Sequence, residues 1–131
     1  MTPTVCRRIL VIDDELVVRR LLTSVLGAEY EVVTLPSGED LQPLFESVSP
    51  DLVILDIRMP GASGYEVARR IRNWPSGRDV PLMFLSGHYR DAEAIHEIEA
   101  SGAYLMTKPF HVRRLRHLVA AMLRRAENRI N

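Results

Sequence analysis

Two stretches of this chain, Ile9-Leu10-Val11-Ile12 and Leu52-Val53-Ile54-Leu55, are apolar at every position. A strand with one wet face alternates apolar and polar residues, so a strand with no polar position must be covered on both faces. That is the environment of a parallel sheet flanked by helices. Further short runs rich in Val, Leu, Phe or Met at 32–35, 82–85 and 104–106 bring the expected strands to five.

The segments between these runs carry helical spacing. Val17, Val18, Leu21, Leu22 and Val25 recur among Arg19, Arg20, Thr23 and Ser24, and Gly27 supplies a stop. A second helix is expected to begin at Gln42, because Pro43 breaks an interior turn but fits a first one. Ser63 can cap a helix through Asn73 that ends before Trp74-Pro75, and Asp91 can cap one ending near Ser101-Gly102. The last segment places Val112, Leu115, Leu118, Val119, Met122 and Leu123 on one face, with Arg113, Arg114, Arg116, Arg124 and Arg125 mostly elsewhere. Strands alternating with helices through short connections predict right-handed crossovers and an α/β fold. Its core is a doubly wound five-stranded parallel sheet with helices on both faces. At 131 residues, 47% of them apolar, the chain suits one core, and residues 1–131 are read as a single domain with its core at about 7–126.

Lys plus Arg and Asp plus Glu both total 17, so no basic excess points to direct nucleic-acid binding or to a membrane surface. One cysteine, Cys6, cannot form an internal disulfide, and the N-terminus lacks a run that would export or anchor the chain. A cytoplasmic location is expected. Cys6 is either a reactive thiol or a half-buried bystander beside the first strand, and the second is the expectation. Asn131 ends either a natural single-domain protein or the N-terminal piece of a longer one.

Chemistry concentrates at the ends of the apolar runs. Asp13 and Asp14 follow the first, Asp56 the third, Ser86 the fourth, and Lys108 comes just after the fifth. In a parallel sheet these ends share one edge, so three carboxylates, a hydroxyl and an ammonium can form one pocket. Clustered carboxylates repel unless a hard divalent cation such as Mg²⁺ offsets them. With a metal and Lys108 present, Asp56 could approach a phosphoryl group while Ser86 hydrogen-bonds one of its oxygens, giving an aspartyl phosphate. Singly, most of these residues have plainer roles. Asp13 or Asp14 could cap the first helix, Ser86 could be a turn residue, and Pro109 could either follow a cis bond or merely end a strand. Asp56 is harder to assign so, because a carboxylate closing an apolar run is costly to bury without a partner.

Taken in order, Ile12-Asp13-Asp14-Glu15, Leu55-Asp56-Ile57-Arg58-Met59-Pro60-Gly61, Ser86-Gly87 and Lys108-Pro109-Phe110 resemble the receiver domains of two-component response regulators. The resemblance to this CheY-like family covers essentially the whole chain. It implies a flavodoxin-like receiver fold with Asp56 as phosphoacceptor and Mg²⁺ or Mn²⁺ as cofactor. Asp14 would be a direct metal ligand, Asp13 would act largely through water, and Arg58 would contribute its backbone carbonyl. Ser86 would be the switch hydroxyl, Lys108 its charge partner, Pro109 the residue after a cis bond, and Gly64 the residue that lets the loop after Asp56 turn.

One departure stands out. Receivers place an aromatic residue three positions before the motif lysine, where rotation of its ring reports phosphorylation. Leu105 stands there, with Tyr104 one place earlier. Either Leu105 simply packs at that position, which is the expectation, or a bulge slips the strand and turns Tyr104 onto the switch face. The side chains of Arg58 and His88 either tune the loss of the phosphoryl group or are exposed without effect.

By the same resemblance the partner is a sensor histidine kinase or phosphotransfer protein presenting phosphohistidine. The chain would be a phosphoacceptor switch, not a turnover enzyme, catalysing only its own phosphorylation and dephosphorylation. The switch would change conformation to control an output partner or domain, and the reporting surface would be the fourth helix, the fifth strand and the last helix. The arginines of the last helix either pair with acids on a second receiver or an output partner or form a solvated face, and phosphorylation-promoted homodimerisation there is the expectation. A phosphohydrolase with an aspartate nucleophile would need a second acid two places after Asp56, where Arg58 stands. A receiver-like module that works without phosphorylation would be suggested by loss of the acids or Lys108, and all are present. A dinucleotide-binding protein would need a Gly-rich loop after the first strand, and none is there.

Overall fold

The computed structural model describes residues 6–87 and 102–130. Five strands, β1 (Arg8–Ile12), β2 (Glu31–Leu35), β3 (Leu52–Asp56), β4 (Leu82–Ser86) and β5 (Tyr104–Thr107), form one sheet in the order β2-β1-β3-β4-β5. Every neighbouring pair is parallel. The doubly wound sheet expected from the apolar runs is therefore present. All five residues of β3 and of β4 are buried, as a central strand covered on both sides requires.

Four helices are described: α1 (Leu16–Leu26), α2 (Leu41–Val48), α3 (Gly64–Asn73) and α4, the closing helix (Val112–Ile130). The helix expected from Asp91 to near Ser101, and His88 beside it, lie outside the described residues. Among the described residues no helix is long and apolar enough to cross a membrane.

The two-residue period of a strand divides the core into two layers. Leu10, Ile12, Val53, Leu55 and Phe84 face one layer, where Phe45 of α2 and Val67 and Ile71 of α3 cover them. Their neighbours Ile9, Val11, Ile54, Met83 and Leu85 face the other, under Leu22 and Leu26 of α1 and Leu115 and Val119 of the closing helix.

Local chemistry sets the helix ends. Ser63 Oγ accepts a hydrogen bond from Glu66 N and starts α3, which runs to Asn73 as its sequence predicts. Pro43 does fall in the first turn of α2, although the helix begins at Leu41, one residue before the expected Gln42. Gly27 is the residue at which α1 ends.

Three expectations about burial are corrected. Val17 is 76% exposed and Leu21 42% exposed, because α1 packs through Val18, Leu22, Val25 and Leu26, a stripe rotated away from both. Val112, the first residue of the closing helix, is 42% exposed while Leu115 one turn on is fully buried. Cys6 is exposed instead of half-buried, since it precedes β1 and lies outside both layers.

Leu115 and Val112 make a contrasting pair for denaturant unfolding. Leu115→Ala should lower stability by about 2–5 kcal/mol through the cavity it opens between sheet and helix. Val112→Ala should stay within about 0.5 kcal/mol of the parent. Equal losses would mean that the closing helix sits on the sheet in another rotation.

Candidate functional site

Because all five strands run the same way, their C-terminal ends meet at one edge. Asp56 is the last residue of β3 and Ser86 the last of β4, while Asp13 and Asp14 follow β1 and Lys108 follows β5. The register holds them level: Ile12 stands opposite Leu55, Asp56 opposite Leu85 and Ser86 opposite Thr107. Lys108 N donates to Ser86 O at 2.7 Å, tying the lysine's backbone to the end of β4. Asp13, Asp56 and Ser86 are the buried polar or charged residues of the described structure.

The lysine is the hub. Its Nζ lies 3.1 Å from Asp13 Oδ2, 3.2 Å from Glu15 Oε1 and 3.5 Å from Asp56 Oδ2. Asp13 Oδ1 accepts from Glu15 N at 2.9 Å and Arg19 Nη1 donates to Asp13 O at 2.7 Å, so the turn out of β1 is braced on both sides. Neither Asp13 nor Asp14 is the N-cap of α1; Glu15 is, and its side chain makes no capping hydrogen bond. Asp13 Oδ2 is close enough to Lys108 for an ion pair, yet no donor points at it along a hydrogen-bonding direction. Carboxylate oxygens of Asp13, Asp14, Glu15 and Asp56 all lie within 4.8 Å of one another. A buried oxygen without a well-directed donor, inside a group of hard oxygen ligands, fits a divalent cation. Glu15 enters here as a residue the sequence motif contained but gave no role; an acid straight after Asp13-Asp14, at a helix start, was its signal.

These surroundings shift the charges. Burial, then the charge of Asp13, pushes the Asp56 carboxyl up to about 6, against the pull of Lys108 and the Arg58 amide. Burial alone would lower the Lys108 ammonium, but the close carboxylates of Asp13, Asp56 and Glu15 outweigh it and raise the group above its ordinary value. The site thus stores an acid that resists ionisation beside a base held firmly protonated.

Downstream of Asp56 the chain turns sharply. Arg58 N donates to Asp56 Oδ1 at 3.4 Å, and the Arg58 side chain is exposed. Gly64 does not supply the turn's conformation as expected: the positive φ, +81°, belongs to Gly61. What Gly64 supplies is closeness, since a Cβ there would sit 2.3 Å from Asp56 O. Its N–H donates to Ile57 O at 2.8 Å and clamps the start of α3 to the end of β3. Lys108-Pro109 is cis.

The aromatic question also has a structural answer. β5 pairs with β4 without a slip, Met83 opposite Tyr104 and Phe84 opposite Leu105. Leu105 packs with Phe84 in one layer, and Tyr104 lies in the other, toward the closing helix. The Arg125 guanidinium sits 5.7 Å from the Tyr104 ring centre, and Arg125 Nη1 donates to the Tyr104 hydroxyl. No bulge turns Tyr104 onto the face of Leu105.

Comparison with known proteins gives the same picture. A family model described as the response regulator receiver domain matches residues 9–120. Over 123 residues the chain is 36% identical to a protein of Cyanophora paradoxa named "Probable transcriptional regulator ycf27", covering 93% of this chain and 50% of that one. It is 35% identical over 121 residues to the phosphate regulon transcriptional regulatory protein PhoB of Rhizobium meliloti, covering 92% of this chain and 53% of that one. The chain spans about half the length of the curated relatives it matches. Among solved structures, the chemotaxis protein CheY4 of Vibrio cholerae superposes with a TM-score of 0.82 at 25% identity, covering 89% of this chain and 98% of that one.

The raised Asp56 pKa makes a prediction for metal-free protein. The folded state holds this proton more tightly than the unfolded chain, whose value is 3.8, so the stability it contributes is full at low pH and is lost as pH rises toward about 6. Asp56→Asn should then be more stable than the parent at pH 7 by on the order of 2 kcal/mol, with the gap closing near pH 4. Urea titrations at both values, in a chelator, check this; a gap that is the same at pH 4 and pH 7 would contradict it.

Proposed function

Since the chain belongs to the response regulator receiver domain family, we propose that it works as a phosphorylation switch that accepts a phosphoryl group onto Asp56 from a phosphohistidine. The donor is a sensor histidine kinase or phosphotransfer protein. The observation that carries this reading is the meeting of Asp13, Asp14, Asp56, Ser86 and Lys108 at one sheet edge, with Lys108 3.1 Å from Asp13 and 3.5 Å from Asp56.

An Asp56 carboxylate oxygen attacks phosphorus in line. A new O–P bond forms as the P–N bond of the donor breaks, and the donor imidazole leaves with that electron pair. Asp56 must be ionised to do so, and a carboxyl near 6 is mostly ionised at neutral pH. Asp13, Asp14, Asp56 and the Arg58 carbonyl would hold Mg²⁺ or Mn²⁺. When bound, such an ion offsets charge between carboxylate and phosphoryl oxygens. Lys108 would supply a further positive charge, and Ser86 would donate to a phosphoryl oxygen. The new group adds roughly −1.5 to −2 charges at the sheet edge. Drawing Ser86 toward it moves the end of β4 and, through the Ser86–Lys108 backbone bond, the end of β5. Loss of the phosphoryl group to water resets the switch, with the exposed Arg58 side chain at the rim of the loop as a candidate modulator.

Intact mass after incubation with acetyl phosphate tests the reading. Wild type with Mg²⁺ should gain one phosphoryl group, while Asp56→Asn and chelated wild type should gain none. An adduct that survives the Asp56→Asn substitution would place the acceptor elsewhere, and no adduct under any condition would favour a module that binds without phosphorylation.

The face formed by β5 and the closing helix is the surface we assign to pairing of two copies; the fourth helix expected beside it lies outside the described residues. The exposed Arg113, Arg114 and Arg124 provide its charge. Light scattering should show the mass rising toward a dimer on addition of beryllofluoride and Mg²⁺; an unchanged monomer mass would reject the pairing.

A further inference from the structure

The ammonium of Lys108 has three N–H donors, and three carboxylates stand at 3.1, 3.2 and 3.5 Å from its nitrogen. The directed hydrogen bond among these contacts runs from the ammonium to Glu15 Oε1, whereas Asp13 Oδ2 receives none, so a phosphoryl group on Asp56 that takes a donor of Lys108 competes with Glu15. Asp13 is fully buried, and its backbone and Oδ1 are held by Arg19 and Glu15 N. Asp56 is the acceptor itself and moves with the phosphoryl group. Glu15 differs from both: its side chain is 59% exposed, and its carboxylate can be rehydrated as soon as it lets go. It also sits at the N-cap of α1 without capping the helix, so its carboxylate faces Lys108 at the expense of the hydrogen bond that position ordinarily makes.

We propose that Glu15 is a displaceable counter-ion for Lys108. It holds the ammonium while Asp56 is unmodified and yields it to the phosphoryl group, thereby setting how tightly the modified state is held. The proposal rests on Asp56 being the phosphoacceptor. Glu15 acts through Lys108 as a positioning residue, and it is not a metal ligand although its oxygen lies near those of Asp13, Asp14 and Asp56.

Two substitutions separate contact from charge. Glu15→Gln removes the charge. Glu15→Asp keeps the charge but is one methylene shorter, and an aspartate at this N-cap is drawn back to the free N–H groups of α1. Titration calorimetry would measure Mg²⁺ alone, then beryllofluoride at saturating Mg²⁺. For an exposed ion pair, both variants should bind beryllofluoride about 2- to 5-fold more tightly than wild type, with Mg²⁺ affinity unchanged and the gain shrinking at high salt. Tighter binding by Glu15→Gln alone, with Glu15→Asp matching wild type, would mean a field effect without a contact and would overturn the proposal. So would unchanged beryllofluoride affinity in both variants, or a loss of about tenfold or more in Mg²⁺ affinity, the size expected for a residue of the metal's coordination environment. Absence of beryllofluoride binding by wild type at saturating Mg²⁺ would instead remove the phosphoacceptor reading on which the proposal stands.

Discussion

One ammonium among buried carboxylates governs this molecule. Asp13 and Asp56 are taken out of water at the edge of an apolar sheet, and each would be a heavy burden there if it stood alone. Lys108 makes the pair tolerable without making it comfortable: the Asp56 carboxyl still rises to about 6. The site is under-compensated by construction. Four clustered acids, Asp13, Asp14, Glu15 and Asp56, exceed the charge of a single lysine, and that excess could be offset by a further cation.

The parallel sheet is what brings these groups together. Five strands in one direction put five C-terminal ends on one edge, so residues separated by up to 95 positions, Asp13 and Lys108, come within 3.1 Å. The same sheet is stiff where it must be. β1, β3 and β4 are packed from both layers, and the start of α3 is drawn to within hydrogen-bonding distance of Ile57 by a glycine that no larger residue could replace without moving the Asp56 carbonyl. Asp56 therefore stands on a rigid support, while the side chains of Glu15 and Arg58 around it are exposed.

Much of this was legible in the residues. An apolar run with no polar position implies burial on both faces, and a strand end followed by an acid is an informative exception to that burial. Ser63 and Pro43 marked helix starts because their side chains act within one turn, and local chemistry needs no tertiary context. What was not legible depended on rotation and approach. The apolar residues of α1 span more of the helix surface than the sheet can cover. Packing against the sheet and the closing helix buried Leu22 and Leu26 and left Val17 outside. Gly64 looked like a turn residue because a glycine in a loop usually is one, whereas close packing needs two elements to be placed before it can be seen. Glu15 had no legible role because it stands past the strand end at the start of α1, where the direction of its side chain toward Lys108 is set only once helix and sheet are placed.

The position of Tyr104 follows from the two-residue period with no freedom left. With β5 in unbroken register against β4, a residue one place from Leu105 must face the opposite layer, so the aromatic ring meets the closing helix and Arg125 while Leu105 meets Phe84. β5 is an edge strand of four residues, joined to β4 at its far end by the Lys108–Ser86 backbone bond. That bond ties Ser86 to a short element that carries a leucine into one layer and a tyrosine, hydrogen-bonded to an arginine, into the other. In this chain the ring carried by the strand before the lysine belongs to the closing helix's side of the sheet, four residues before Lys108 and in contact with Arg125.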